Sequence, residues 1–421
     1  MFELENLKEL EDEIKKCSRC GLCRSICPVF KETGTESMVA RGRMEIIESI
    51  LSKKIDFTNR VSDIIDSCLL CGACHKNCPG GVMVDTIVLK ARCDRVEKFG
   101  LLYLQEFIFH YILENRSLFK MSIDMALYFQ EYFSKSSSQE HMRHLPFFIS
   151  GLEKKRLIPE LSKERLSQIF PIKVTNSKRK LRVGFFSGCL LEYVYTDIGK
   201  SVIEVLIKND IEVIIPPGQK CCGISVLIAG DKKGFRRLAE SNVKAFLSYE
   251  LDAIIVACAS CGSALKNEYP MLFKNTKLES EVERFSKKVK DISEFIDEFI
   301  PYRHKIVSDV KYNITYHDPC HLNHKQNINA APRKIINQIS KSFVEMTDSS
   351  ACCGGGGSFS LYYYDIANKI RSRKIINIEE TNAEIVATAC PGCIMHLRDG
   401  LGQKDSKIKV MHVIELLNKA M

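Results

Sequence analysis

The 421-residue chain contains no stretch of 18 or more apolar residues, so no segment reads as a membrane-spanning helix. Its opening, MFELENLKELEDEIKKC, is charged and has no apolar core for export; secretion, and with it a disulfide framework, is not expected. No GxGxxG fingerprint stands in a strand–turn–helix context, which argues against a flavin or dinucleotide site in this chain. The glycine run Gly354–Gly357 lacks the Lys-Ser/Thr that a phosphate-cradling P-loop needs. Basic residues outnumber acidic ones 61 to 52, yet apart from Lys178-Arg179-Lys180 they are scattered. A solvated surface accounts for them, and no nucleic-acid partner is expected.

What the chain has in abundance is cysteine, 19 in all. An apolar content of 45% is ample for buried cores in two or three domains, so the thiols are not required as staples. Reduced cysteines held by metal in the cytoplasm are the better reading, with partners able to bring the protein to the inner face of a membrane.

The cysteines fall into register. Cys189, Cys221, Cys222, Cys258 and Cys261 are repeated as Cys320, Cys352, Cys353, Cys390 and Cys393, each member displaced by 131 or 132 residues. This is an internal duplication, and each copy gathers five thiols. The segments LRVGFFSG and YNITYHDP are strand-like and deliver Cys189 and Cys320. Helical stretches, then IEVIIP and KSFVEM, precede the Cys-Cys-Gly loops, and DAIIVAC and AEIVATAC end in Cys-x-x-Cys. Strands alternating with helices predict a parallel α/β sheet in each half, with the cysteines at the carboxyl ends of strands. Gly223, Gly354 and Gly355 would let backbone approach a bulky inorganic group and donate amides to sulfide. His317, Asp318, His321, His324 and His396 lie near the second set; supporting or surface roles are expected for them, and no catalytic residue is assigned.

Upstream, Cys17, Cys20, Cys23 and Cys27-Pro28 are followed by Cys68, Cys71, Cys74 and Cys78-Pro79. This spacing is that of the bacterial ferredoxin run for a [4Fe–4S] cubane, in which the distant cysteine of each run ligates the other cluster. The expected sets are therefore Cys17, Cys20, Cys23 and Cys78 on one cubane, and Cys68, Cys71, Cys74 and Cys27 on the other. Zinc would favour paired Cys-x-x-Cys elements over a triple with a trailing CP. The segments MEIIESIL and VSDIIDSC between the runs carry helix-period apolar residues, which makes this a helical two-cluster domain. Cys93 belongs to no motif and reads as a buried thiol on a helix. Residues 99–133 form one or two apolar helices that pack against the rest of the protein or a partner, 134–144 a loop and 173–180 a linker. A dithiol redox role for the adjacent cysteine pairs competes with cluster binding, but two matched sets of five favour ligands.

The CCG-centred motifs resemble the CCG cysteine-rich domain, which occurs twice in the thiol-cleaving subunit of methanogen heterodisulfide reductase and there binds noncubane [4Fe–4S] clusters on a Rossmann-like half. The wider order is similar to the iron–sulfur subunits of glycolate oxidase and D-lactate dehydrogenase. It is carried by CGLCRSICPVFKETGTESMVARGRMEII, PPGQKCCGISVLIAGD, YHDPCHLNHKQNINAAPRKII, CCGGGGSFSL and ACPGC. The resemblance implies an α+β multidomain chain: a helical two-cluster ferredoxin domain (1–98), a helical spacer and linker (99–180), and two duplicated Rossmann-like CCG halves (181–301 and 302–421). It implies two cubanes, up to two further [4Fe–4S] clusters of noncubane type, and no flavin in this chain. The implied partner is an FAD-containing hydroxyacid dehydrogenase subunit, with an electron-carrier protein or a quinone-linked membrane partner downstream. The alternative is a heterodisulfide-reductase-like subunit whose clusters reduce a disulfide; complete Cys-x-x-Cys elements in both copies narrow the distance to it.

Overall fold

The computed structural model describes residues 4–144, 156–176, 181–300, 306–307 and 310–421. The fold is mixed α/β with parallel sheets, and divides into two compact units. One comprises Met1–Phe109 with the later segments Gly223–Phe235 and Ala351–Lys374; the other holds His110–Cys222, Arg236–Ser350 and Ile375–Met421.

Among its described residues the first unit holds helices joined by loops, and no strand. MEIIESIL lies in helix Ala40–Leu51, whose buried face carries Met44, Ile47 and Ile50 at helical spacing. VSDIIDS lies in helix Asn59–Asp66, capped by the Thr58 hydroxyl accepting from the Val61 amide at 3.4 Å. The long helix Val84–Phe99 is the unit's spine. Its buried Asp94 accepts the amides of Asn6 and Leu7, each at 3.1 Å, and so pins the N-terminal helix. Cys93 is buried on the same helix, and burial pushes its thiol up to about 12.

Among its described residues the second unit carries eleven strands: β1 (Met142–His144), β2 (Leu157–Pro159), β3 (Lys173–Val174), β4 (Leu181–Phe186), β5 (Ile211–Ile214), β6 (Ala253–Val256), β7 (Val289–Asp291), β8 (Val310–Tyr316), β9 (Ser340–Phe343), β10 (Ile385–Thr388) and β11 (Lys409–His412). The two large sheets run β3-β5-β4-β6-β7 and β11-β10-β8-β9. Apart from the antiparallel edge strand β3, all their pairings are parallel and the order repeats: β5-β4-β6-β7 corresponds to β9-β8-β10-β11. The duplication read from cysteines is thus a duplication of sheet topology. Strands β5, β6 and β10 are buried along their whole length, as parallel sheets covered on both faces require. The last strand of each half ends in a helix N-cap. Asp291 caps Ile292–Phe299 and His412 caps Val413–Ala420, each with a glutamate closing the capping box.

Residues 99–180 depart from a purely helical spacer. The apolar stretch breaks into helix Tyr103–Glu106, a π-helical turn Phe107–Leu113 and helix Arg116–Phe133, the last capped by Asn115. The expected loop 134–144 ends in β1, which pairs antiparallel with β2. The expected linker opens with β3, bonded to β5 through Lys173 and Val174, and its residues 177–180, including Lys178-Arg179-Lys180, lie outside the described residues.

Candidate metal centres

All eight cysteines of the ferredoxin-type runs lie in the first unit. Each run begins with the same backbone curl. Arg19 and Leu70, just before the second cysteine, have φ of 56° and 52°, and Gly21 and Gly72, just after it, have 84° and 74°. Left-handed residues on either side of the cysteine curl the backbone into a concavity suited to an anionic group. Cys23 and Cys74 then sit on the short helices Cys23–Ile26 and Ala73–Lys76, and Cys27 precedes helix Pro28–Thr33, whose first position takes the proline of the CP pair.

The runs interleave. One small cavity is lined by Cys17, Cys20 and Cys23 of the first run together with Cys74 and Cys78 of the second. Cys27 does not line that cavity; burial pushes its thiol up, and Cys68 adds to the shift. Burial also raises Cys74 strongly, with Cys68 and Cys27 as further contributors. Crowded, buried thiols cannot all ionise by themselves; a bound cation that replaces their protons resolves the conflict, which is the chemistry of thiolate-ligated iron.

Two arginines that sequence reading missed support the runs. Arg43, buried in helix Ala40–Leu51, donates to the carbonyls of Ile64 and Ser67 at 3.0 and 2.9 Å, and its charge counters the rise at Cys27. Arg92, also buried, donates to the carbonyls of Ile65, Asp66, Cys68 and Ile228. Both occur within helices, where an arginine ordinarily reads as surface; the RGR of VARGRMEII was the only available signal for Arg43.

In the second unit, Cys189 follows β4, Cys221 and Cys222 follow β5, and Cys258 and Cys261 follow β6. The sulfurs of Cys189 and Cys221 are 3.9 Å apart, and a Cβ built on Gly188 would sit 3.4 Å from the sulfur of Cys261. Hydrogen bonds among the sulfurs, then burial, push Cys189, Cys222 and Cys261 well above the ordinary thiol range. The Cys-Cys loop is held by buried residues that sequence reading missed. The Asn242 side chain accepts from the Lys220 amide at 2.7 Å and donates to the carbonyl of Cys221 at 3.0 Å. Tyr269 donates its hydroxyl to the carbonyl of Cys222 at 3.0 Å. Gln219 ties the loop to β4, accepting from Ser187 and donating to Phe185. Gly223 has φ of 82°, a value only glycine adopts freely, and caps helix Ile224–Ile228.

Of the second set, Cys320 opens helix Cys320–Gln326, Cys390 caps helix Pro391–Gln403 and Cys393 lies in its first turn. Cys352 and Cys353 belong to the first unit, where Gly354 donates its amide to the sulfur of Cys352 at 3.4 Å. The glycines there are also packing residues. A Cβ on Gly354 would strike the carbonyl of Ala367 at 2.8 Å, and one on Gly356 would meet Leu69 at 2.5 Å. Gly355 follows directly, with no positive φ. Asp318, buried beside Cys320, receives both guanidinium nitrogens of Arg333 at 2.8 and 2.7 Å, so the HDPCH and APR segments are one clamp. His317 is fully buried, with a ring nitrogen within 4.8 Å of the Cys393 sulfur, while His396 is buried and His321 and His324 are half-buried.

One association was invisible in the register. The two Cys-x-x-Cys turns meet: the Ala259 amide donates to the carbonyl of Ala389 at 3.3 Å, and Ser260 Oγ lies 3.8 Å from Cys390 Sγ. Hydrogen bonds from Cys258 and then Cys393 hold the Cys390 thiol well below its ordinary range.

Comparison with known proteins agrees with this layout. The cysteine-rich CCG domain matches residues 183–266 and 314–398, and the 4Fe-4S dicluster domain matches residues 13–82. A probable glycolate oxidase iron-sulfur subunit of Bacillus subtilis is 27% identical, covering 97% of this chain and 94% of the relative. An uncharacterized iron-sulfur protein of Methanococcus maripaludis is 30% identical over 100% of this chain and 76% of its own. A subunit of the CoM/CoB fumarate reductase of Methanothermobacter marburgensis is 29% identical over 97% and 72%. The chain therefore belongs to the family of iron–sulfur proteins that join a 4Fe–4S dicluster domain to two cysteine-rich CCG domains, the family of the glycolate oxidase iron–sulfur subunits.

Proposed function

We propose that this chain is the electron-transfer subunit of a flavin-dependent 2-hydroxyacid dehydrogenase acting on glycolate or D-lactate. An FAD-containing subunit removes two electrons from the hydroxyacid, and this chain passes them on singly toward a quinone or a carrier protein. Cys17, Cys20, Cys23 and Cys78 hold one [4Fe–4S] cubane; Cys68, Cys71, Cys74 and Cys27 hold the other. The sets Cys189, Cys221, Cys222, Cys258, Cys261 and Cys320, Cys352, Cys353, Cys390, Cys393 hold two further clusters on Rossmann-like halves, with Gly223, Gly354 and Gly355 beside them. Divisions near residues 98, 180 and 301 separate the ferredoxin domain, the spacer and the two halves. The protein works in the cytoplasm, reaching a membrane through its partners; no helix among the described residues is long and apolar enough to cross one.

The observation that carries this reading is the interleaving of the two runs: Cys74 and Cys78 of the second line one cavity with Cys17, Cys20 and Cys23 of the first, while Cys68 acts on the thiol of Cys27 and Cys27 on that of Cys74. Two adjacent one-electron centres suit a wire better than a site of bond chemistry. Its likeness to a glycolate oxidase subunit along nearly the whole chain supports the choice of reaction. The isolated protein should be brown, flavin-free and inactive toward glycolate and D-lactate with an artificial acceptor, and activity should appear on adding the flavoprotein subunit. Oxidation of either acid by the pure chain would overturn the reading.

A second reading is favoured by the contact between the two complete Cys-x-x-Cys turns: a disulfide is reduced at the CCG clusters. Thiol formation from a disulfide by the reduced chain, with no flavoprotein partner, would select it.

A further inference from the structure

Beside the first CCG cysteines lies a cavity of about 340 Å³, within the range that holds a drug-sized ligand. Cys189 and Cys221 form part of its wall. Whatever occupies it therefore sits against two thiols of the first set.

The remaining walls specify a chemistry. Phe119, Phe170 and Tyr193 contribute aromatic rings to the wall, and those of Phe119 and Tyr193 meet edge-on at 5.0 Å. Ile172, Ile215 and Pro216 continue the apolar lining. Polar side chains interrupt this lining. Arg116 and Lys220 bring cationic donors, while buried Glu192 is engaged by the hydroxyls of Ser167 and Ser187. Such a site suits a flat, apolar ring with carbonyl oxygens at its edge: the ring stacks on aromatic faces and the oxygens accept from arginine and lysine. A small hydroxyacid would leave most of the volume unfilled and has no ring to stack. The helix that supplies Arg116 and Phe119 also carries an exposed apolar row, Leu118, Met121, Met125, Tyr128 and Tyr132, which suits access by a lipid-soluble molecule.

We propose that this cavity binds the head group of a quinone, the electron acceptor at the first CCG site. The inference rests on the electron-transfer reading above. Reduced flavin of the partner subunit is the reductant; its electrons arrive one at a time through the iron–sulfur centres, and two electrons with two protons from water convert the quinone to the quinol.

The test is equilibrium binding of the fluorescent quinone analogue 2-heptyl-4-hydroxyquinoline N-oxide to the anaerobically purified, cluster-bearing full chain. Saturable binding at one site per chain is expected, with short-chain quinone displacing the probe. Arg116→Gln should weaken it about tenfold, the scale of one charge-assisted hydrogen bond. Ile172→Trp, which adds bulk to the cavity wall, should weaken it at least as much, and iron content of both variants serves as the folding control. Absence of saturable binding to the wild-type chain, undiminished binding to both iron-replete variants, or displacement by glycolate or a disulfide but not by quinone would each overturn the proposal. Reduction of the clusters by the reduced flavoprotein is followed separately by visible absorbance. Loss of that step counts against the electron-transfer reading, whereas intact reduction without probe binding counts against the quinone site alone.

Discussion

Arg92 donates from Nη2 to the carbonyl oxygen of Cys68 at 2.5 Å, anchoring the first cysteine of the second run to the spine helix of its unit. The same guanidinium reaches Ile65 and Asp66 at 3.2 and 2.9 Å and, through Nη1, Ile228 at 2.8 Å. Replacing it with methionine keeps the bulk and leaves buried carbonyls without donors, at a cost of about 3 kcal/mol or more. Arg92→Met should lower the anaerobic melting temperature and deplete iron, and Arg92→Lys should recover little, because an ammonium cannot span the same set of acceptors. An unchanged melting temperature and iron content would refute this role.

The interleaved runs make opposite forecasts for two similar mutations. Cys27→Ser should damage the cluster of Cys68, Cys71 and Cys74, and Cys78→Ser that of Cys17, Cys20 and Cys23. Electron paramagnetic resonance with site-resolved assignment distinguishes them. If each mutation perturbs only the cluster of its own run, the cross-ligation is wrong.

Asn242 controls the first Cys-Cys loop without contributing a sulfur. Its buried amide bonds the Lys220 amide, the Cys221 carbonyl and the Tyr269 hydroxyl. Asn242→Leu strands those groups and should cost about 2–3 kcal/mol, with loss of the first CCG cluster's signal while the cubane signals persist. Tyr269→Phe, which removes one donor to Cys222, should cost about 1 kcal/mol. Equal loss of all clusters in Asn242→Leu would mean that the asparagine supports the fold generally rather than this loop.

Asp291 gives the protein a pH dependence of definite sign. Burial raises its carboxyl from the usual 3.8 to about 7, against the pull of the Ser293 amide it accepts at 2.8 Å. Between these values the folded state holds a proton that the unfolded state has released. Its stabilising contribution is thus present below the lower value and lost as pH rises through the window. Asp291→Asn should flatten the melting temperature between about pH 5 and pH 7. Parallel profiles for mutant and wild type would exclude Asp291 as the source.

Several features were legible because the sequence states them locally. The strands delivering Cys189, Cys258 and Cys390 are short, largely apolar runs close before cysteine, the one delivering Cys320 alternates apolar and polar residues, and the helices holding Met44 and Ile65 carry a clean helical period. Strands β1 and β3 were not legible. MRH and KV have no strand pattern of their own and exist through their pairing with β2 and β5. Nor could spacing reveal that Cys258 and Cys390 meet, since register aligns equivalent positions and says nothing of how halves pack. Arg43, Arg92 and Asn242 escaped for a related reason. Polar residues within helices look solvated until the carbonyls they serve are known.

The central claim is that eighteen of the nineteen cysteines are cluster ligands, Cys93 being the exception. Iron and acid-labile sulfide per chain, measured on anaerobically purified protein, test it most directly. The account predicts nearly equal iron and sulfide, at about 16 of each for four four-iron clusters, and about 8 if only the cubanes are filled. Protein that is free of iron and sulfide, or that carries zinc in their place, would contradict it.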